Sequence, residues 1–159
     1  MGQQGVTLIQ MMFALGVLSL LTHQGLSAYG KFSEELYLSA AARELALALR
    51  GARNQAALRH QAVLVRPLEE DWGKGWRVIL EHDGELLQEH RLGKPLRIAT
   101  TSDRVVRFSA RGAPLGVGFV GATLDICPRT TLDSRHQVVL SPSGRVSLRS
   151  DEGRRCARG

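Results

Sequence analysis

Five arginines fall within the last fifteen residues of this 159-residue chain: Arg145, Arg149, Arg154, Arg155 and Arg158, offset there only by Asp151 and Glu152. A guanidinium presents a planar fork that takes phosphate or carboxylate oxygens two at a time and stacks on flat rings. The chemistry open to this end is therefore anion binding, with a nucleic-acid backbone as its extended ligand. Alternation along a strand puts Arg145, Ser147 and Arg149 on one face and turns Val146 and Leu148 inward. Residues 1–96 carry ten Lys plus Arg against ten acids, and residues 97–159 carry eleven Arg against five acids, so the net +6 lies wholly in the second part. Helical arginines of the first part, such as Arg43 and Arg50, are expected to stand apart from that surface. A solvated basic face is the ordinary alternative use of such charge.

Other reactive side chains are poorly spaced for catalysis. His23, His60, His82, His90 and His136 are scattered, with no helical metal pair, and neither a nucleophile elbow nor a phosphate loop occurs. Ser141 and Ser143 near His136 and Asp133 hold the right groups for a triad, but a hairpin is a poor nucleophile platform. The run Glu69-Glu70-Asp71 offers carboxylates suited to calcium without the spaced loop ligands that hold it. No enzyme, metal or cofactor is expected. Cys127 and Cys156, the only cysteines, lack zinc-ligand spacing. In an exported domain they would form a disulfide, closing a loop of about 30 residues and contributing roughly 3–4 kcal/mol; in a reducing compartment they would be buried thiols. Trp72 and Trp76 could stack bases or pack inside a sheet.

These residues need elements to position them. No charged side chain occurs in the first thirty residues, and Val6 to Leu21 is an apolar run of 16 before Thr22, His23 and Gln24. From there Leu38, Ala41, Leu45, Leu49, Ala52 and Ala56 recur at three- and four-residue steps among charged neighbours, the pattern of a helix with one buried stripe. Helix signals run from Val6 to about His60. The remainder reads as short strands: residues 62–67, a hairpin around His82-Asp83-Gly84, residues 104–109, the glycine-spaced 117–127, and a last pair around Ser141-Pro142-Ser143-Gly144. Helix first and antiparallel strands after predict an α+β fold. After the apolar segment there is chain for one modest domain. A secretory signal peptide and a plain single-pass anchor are the alternative uses of the apolar run.

The start Gly5-Val6-Thr7-Leu8-Ile9-Gln10 followed by MMFALGVLSLL resembles the N-terminus of type IV pilins and type II secretion pseudopilins. That resemblance implies cleavage by a prepilin peptidase between Gly5 and Val6, methylation of the new amine, and an apolar helix that anchors in the inner membrane and then packs in a filament core. Gln10 stands where the family carries a glutamate that meets a neighbour's N-terminal amine, which implies an assembly role for it. Further on, Gly75-Trp76-Arg77-Val78-Ile79, Val106-Arg107-Phe108 with Gly112, Thr123-Leu124-Asp125-Ile126-Cys127 and Ser141-Pro142-Ser143-Gly144-Arg145-Val146 follow in the order seen in the GspH/FimT branch of minor pilins and pseudopilins. The implied layout is a leader at 1–5, a transmembrane and filament-core helix at 6–30, an amphipathic half-helix at 31–60 and a β-sheet domain at 61–159.

The implied function is that of a FimT/FimU-like minor type IV pilin contributing to pilus assembly or its tip. The alternative is a GspH-like pseudopilin at the tip of a type II secretion filament. Partners would be other major and minor pilins or pseudopilins, the prepilin peptidase and the inner membrane, with the C-terminal domain in the periplasm. FimT-like proteins of transformable bacteria bind DNA through a C-terminal G-R-x-R motif. Gly144-Arg145 matches its first half, Ser147 stands at its last position, and DNA is the further partner this implies.

Overall fold

The structure is a computed structural model and describes residues 7–101, 105–116, 121–129, 133–134, 136–150 and 154–155. Its elements are one helix, α1 (Leu8–Arg59), followed by β1 (Val63–Leu68), β2 (Asp71–Leu80), β3 (Leu86–Arg91), β4 (Arg97–Thr100), β5 (Val106–Phe108), β6 (Pro114–Leu115), β7 (Ala122–Cys127), β8 (Asp133–Ser134), β9 (His136–Leu140), β10 (Val146–Arg149) and β11 (Arg154–Arg155). This is an α+β fold with a long N-terminal helix and antiparallel sheets, as its order of residues implies.

Thr7 opens the helix. Its backbone N–H donates to Gln10 Oε1 at 3.1 Å, and its carbonyl accepts from the N–H groups of Gln10 and Met11 at 3.0 and 3.3 Å. Thr-x-x-Gln thus forms the half of a capping box in which the fourth residue satisfies the cap residue's own donor. At the other end His60 takes the left-handed conformation (φ 54°), and the Gln61 N–H returns to Ala56 O at 3.3 Å. That is the 6→1 bond of a Schellman stop, with histidine in the position glycine usually holds.

Chain contacts divide the protein into Met1–Leu36 and Tyr37–Gly159. In the first unit Leu8, Ile9, Met11, Met12, Phe13, Leu15, Leu18 and Leu20 are all exposed, the least of them by 60%. Among the described residues no helix is long and apolar enough to cross a membrane; at 1.5 Å per residue a 16-residue run spans about 24 Å against a hydrocarbon core of about 30 Å.

In the second unit the helix stripe read from the sequence is the buried one: Leu38, Ala41, Leu45, Leu49, Ala52 and Ala56 are each 3% exposed or less, and Ala42, Ala46 and Ala48 join them. So many alanines let the helix lie close to the sheets, while Leu38, Leu45 and Leu49 fill the space between. One sheet has the order β3-β2-β1-β5-β6, a second β10-β9-β7-β4, and β11 pairs with β8. Every pairing is antiparallel. Both larger sheets send alternate residues to a common core: Val63, Val65, Trp76, Val78 and Phe108 from the first, Leu124, Ile126, Val138, Leu140 and Val146 from the second.

Trp72 and Trp76 are buried, at 4% and 0% exposure, so both are packing residues. Gly75 makes the close strand approach beside Trp76 possible: its φ is +132°, and a Cβ there would sit 2.1 Å from His90 O. Trp76 then stacks on His90 with ring centroids 4.6 Å apart.

Two readings change. Leu148 is 42% exposed rather than inward, because β10 is the edge of its sheet and only Val146, paired with Leu140, reaches the core. The strand β4 was not visible in the sequence, since in Arg97–Thr100 only Ile98 is buried; pairing with β7, and not its own pattern, makes it a strand.

Candidate anion-binding site

The hairpin between β9 and β10 is built by its own polar groups. Gly144 N–H donates to Ser141 O and Ser141 N–H to Arg145 O, both at 2.9 Å. Arg145 N–H donates to Ser141 Oγ at 3.0 Å, and the Ser141 and Ser143 hydroxyls lie 2.9 Å apart. These serines are engaged in turn formation. The His136 ring instead approaches Ser150 Oγ, at 3.5 Å. Gly144 adopts φ +80°, and a Cβ on it would lie 3.2–3.3 Å from the Arg53 guanidinium and from Pro114. Both the backbone angle and the close packing therefore favour glycine before Arg145.

Arg53 reaches this turn from α1, donating to Gly144 O at 2.9 Å, and one helical turn earlier Arg50 donates to Val146 O at 3.0 Å. Arg50, Arg53, Asn54, Gly144, Arg145 and Val146 line one hollow of about 300 Å³. Among the described residues, three guanidinium groups and an amide face it, and no carboxylate does. Each guanidinium has five N–H donors, so a single bond to a carbonyl orients Arg50 and Arg53 and leaves donors for an anion. Three like charges gathered at one place make a bound negative charge favourable; only Arg53 is half-buried, and Arg50 and Arg145 are exposed.

Arg50, expected to stand apart from the basic end, is instead part of this cluster. The strand following Gly144 runs under the helix face that carries it, which residue order along the chain does not disclose. The spacing Arg50, Arg53, Asn54 does place the three side chains on one helix face; what that face meets is a tertiary fact. Arg149 is exposed on β10, opposite Gln137, and does not line the hollow. Arg154 and Arg155 form β11, paired with Ser134 and Asp133. Arg158, Cys156, Gly5 and Val6 lie outside the described residues. Cys127 is fully buried at the end of β7. Gln10 is placed at the helix start, where its acceptor oxygen already serves Thr7.

Among the described residues no group of three His, Cys, Asp or Glu could hold a metal. In the acidic run Glu69 is bonded to Lys74 Nζ at 2.6 Å and Asp71 Oδ1 accepts from Gly73 N–H at 2.8 Å. The Lys74 ammonium holds the Glu69 carboxyl below the usual carboxylate range and is itself raised by it.

The comparisons with known proteins agree with this architecture. The chain is similar to the type IV minor pilin FimU of Pseudomonas aeruginosa (strain PAO1) in two crystal structures. In one the TM-score is 0.65 with 25% identity, covering 79% of this chain and 99% of that one; in the other it is 0.63 with 27% identity, covering 75% and 99%. No curated protein sequence matches the chain. The family model described as type II transport protein GspH matches residues 41–144, from the helix stripe through the turn glycine, and ends just before Arg145. With 104 of 159 residues matched and the fold shared with a minor pilin, the chain belongs to the GspH family, the GspH/FimT type of minor pilins and pseudopilins.

Proposed function

We propose that this chain is a FimT/FimU-like minor type IV pilin that works by assembly, with its apolar N-terminal segment first held in the inner membrane and then packed among the helices of a filament. The observation that carries this is the exposure of Leu8 to Leu20 on every side of the helix. A helix apolar all round needs lipid or other helices around it. The similarity to FimU supports a pilus; the family's description as a type II transport protein supports the second reading, a GspH-like pseudopilin of a secretion filament. Deleting this gene should remove the chain from sheared pili and reduce piliation without affecting secretion; the opposite pattern favours the pseudopilin.

The same reading includes removal of residues 1–5 by a prepilin peptidase, methylation of Val6, and a Gln10 that meets a neighbour's amine. Because Thr7 N–H already occupies the Gln10 oxygen, that amine would share or compete for it. A bridge from Cys127 to Cys156 is supported by the absence of free cysteine among the described residues. Non-reducing peptide mapping of exported protein should recover the two in one linked peptide, and two alkylatable thiols would remove the bridge.

DNA is the proposed further ligand. The acid-free hollow of Arg50, Arg53 and Arg145 and the exposed Arg149 support it, with Arg154, Arg155 and Arg158 as additional contacts. Backbone contacts position without reading sequence, so the full chain in detergent should bind duplex DNA with little sequence preference. If three to five phosphates are neutralised, log affinity should fall against log salt with a slope of roughly −3 to −4. Arg145→Glu should reduce that slope by about one or more, whereas Arg43→Ala should leave it unchanged. Binding indifferent to Arg145→Glu would leave assembly as the function.

A further inference from the structure

A second pair of arginines lies on the outer face of the five-stranded sheet, away from the candidate site. Arg66 of β1 and Arg77 of β2 are directly opposed in register, so two like charges stand side by side where such pairs destabilise a sheet. On its other side Arg77 faces Glu89 of β3, but Glu89 is bonded to Arg91 at 2.9 Å. The Arg77 Nε is buried and has no hydrogen-bond partner among the described residues. Buried donors of this kind are rare, and each asks for an acceptor. Arg66, Pro67, Glu69, Glu70, Arg77 and Val105 line a hollow of about 270 Å³. The turn that supplies its acids has Glu69 and Glu70 at φ 49° and 63°. Two successive left-handed residues make a tight two-residue hairpin, which pins this wall close to the arginines.

We propose that this hollow receives a carboxylate side chain from a neighbouring filament subunit, gripped between the Arg66 and Arg77 guanidinium groups. The occupant follows from the lining. A nucleic-acid strand would lay several phosphates against Glu69 and Glu70, whereas a single carboxylate needs only the Arg66 and Arg77 forks, whose like charges are opposed in register. Pro67 and Val105, the latter 39% exposed, add apolar contact, and the Glu69–Lys74 pair forms a polar border. Apolar contact beside arginine anchors, ringed by polar groups, is the composition of protein interfaces. The identity of the partner rests on the filament-subunit reading; the carboxylate site rests on the opposed arginines and the buried Arg77 Nε.

Two measurements test it. In the full chain in detergent micelles, labelled with ¹⁵N-arginine, acetate should shift the Arg77 Nε–H resonance saturably, and Arg66→Ala should abolish that response while Arg66→Lys weakens it. No saturable shift, a shift that survives Arg66→Ala, or an equal shift with a random-sequence oligonucleotide would overturn the site. In cells, Arg66→Glu combined with Arg77→Glu should lower the amount of this subunit in sheared filaments by about tenfold or more, because like-charge juxtaposition at an interface is costly. Unchanged abundance would overturn the docking role. If the wild-type chain is absent from filaments, the named partner falls with the filament reading, and the acetate titration still decides the carboxylate site.

Discussion

Replacing Gly5 with valine should leave the full-length precursor in the membrane fraction and remove this subunit from filaments altogether. The expectation is all-or-none because two requirements converge on one residue. On the proposed reading Gly5 is the small residue at the cleavage junction, and cleavage would create the Val6 amine that would meet a neighbour's Gln10. The segment behind it cannot remain in water, since its leucines, methionines and Phe13 are exposed around the whole helix. An uncut subunit therefore stays where lipid covers that surface. Intact mass of the extracted protein is the measurement: loss of residues 1–5 in the wild type, with one added methyl group, and no loss in Gly5→Val. Cleavage near Ala28 in the wild type, with release of the domain, would show that the segment is a secretory signal. Gly5→Val appearing in sheared filaments at the wild-type level would show that this junction is not used.

A pair of leucines two residues apart on α1 should separate sharply in stability. Leu45 is fully buried in the core cluster, whereas Leu47 is 56% exposed. Truncating a buried leucine loses its transfer free energy and leaves a cavity, a combined cost of about 2–5 kcal/mol. Here the alanine neighbours Ala41, Ala42, Ala46 and Ala48 have no side-chain length with which to refill the gap, so the upper part of that range is expected for Leu45→Ala. Leu47→Ala should change stability by no more than about 0.5 kcal/mol. Denaturant unfolding of the full chain in detergent, followed by Trp72 and Trp76 fluorescence, reads both. Similar values for the two variants would mean that the helix does not present the stripe described.

The sequence by itself determined the helix and most of the strands. Its charge-free start, its three- and four-residue apolar steps and its turn residues are local signals, because capping, amphipathic period and turn chemistry each act over a few residues. Thr-x-x-Gln at the helix start is a local signal of the same kind, since the Gln10 side chain reaches back to the Thr7 N–H. What only the tertiary structure decided concerns pairs far apart in the chain. β4 is a strand because β7 accepts it, not because Arg97–Thr100 alternates. Leu148 is exposed because β10 ends its sheet, although the alternation rule turns it inward. Arg50 and Arg53 lie 91 to 96 positions from the carbonyls that orient them. The sequence count placed the basic surplus after residue 96, while the fold gathers helical arginines from before it around Arg145. Charge counted along the chain omits this, because a hydrogen bond between a helix and a distant turn depends on which helix face the sheet covers, and that is settled by packing of the whole core.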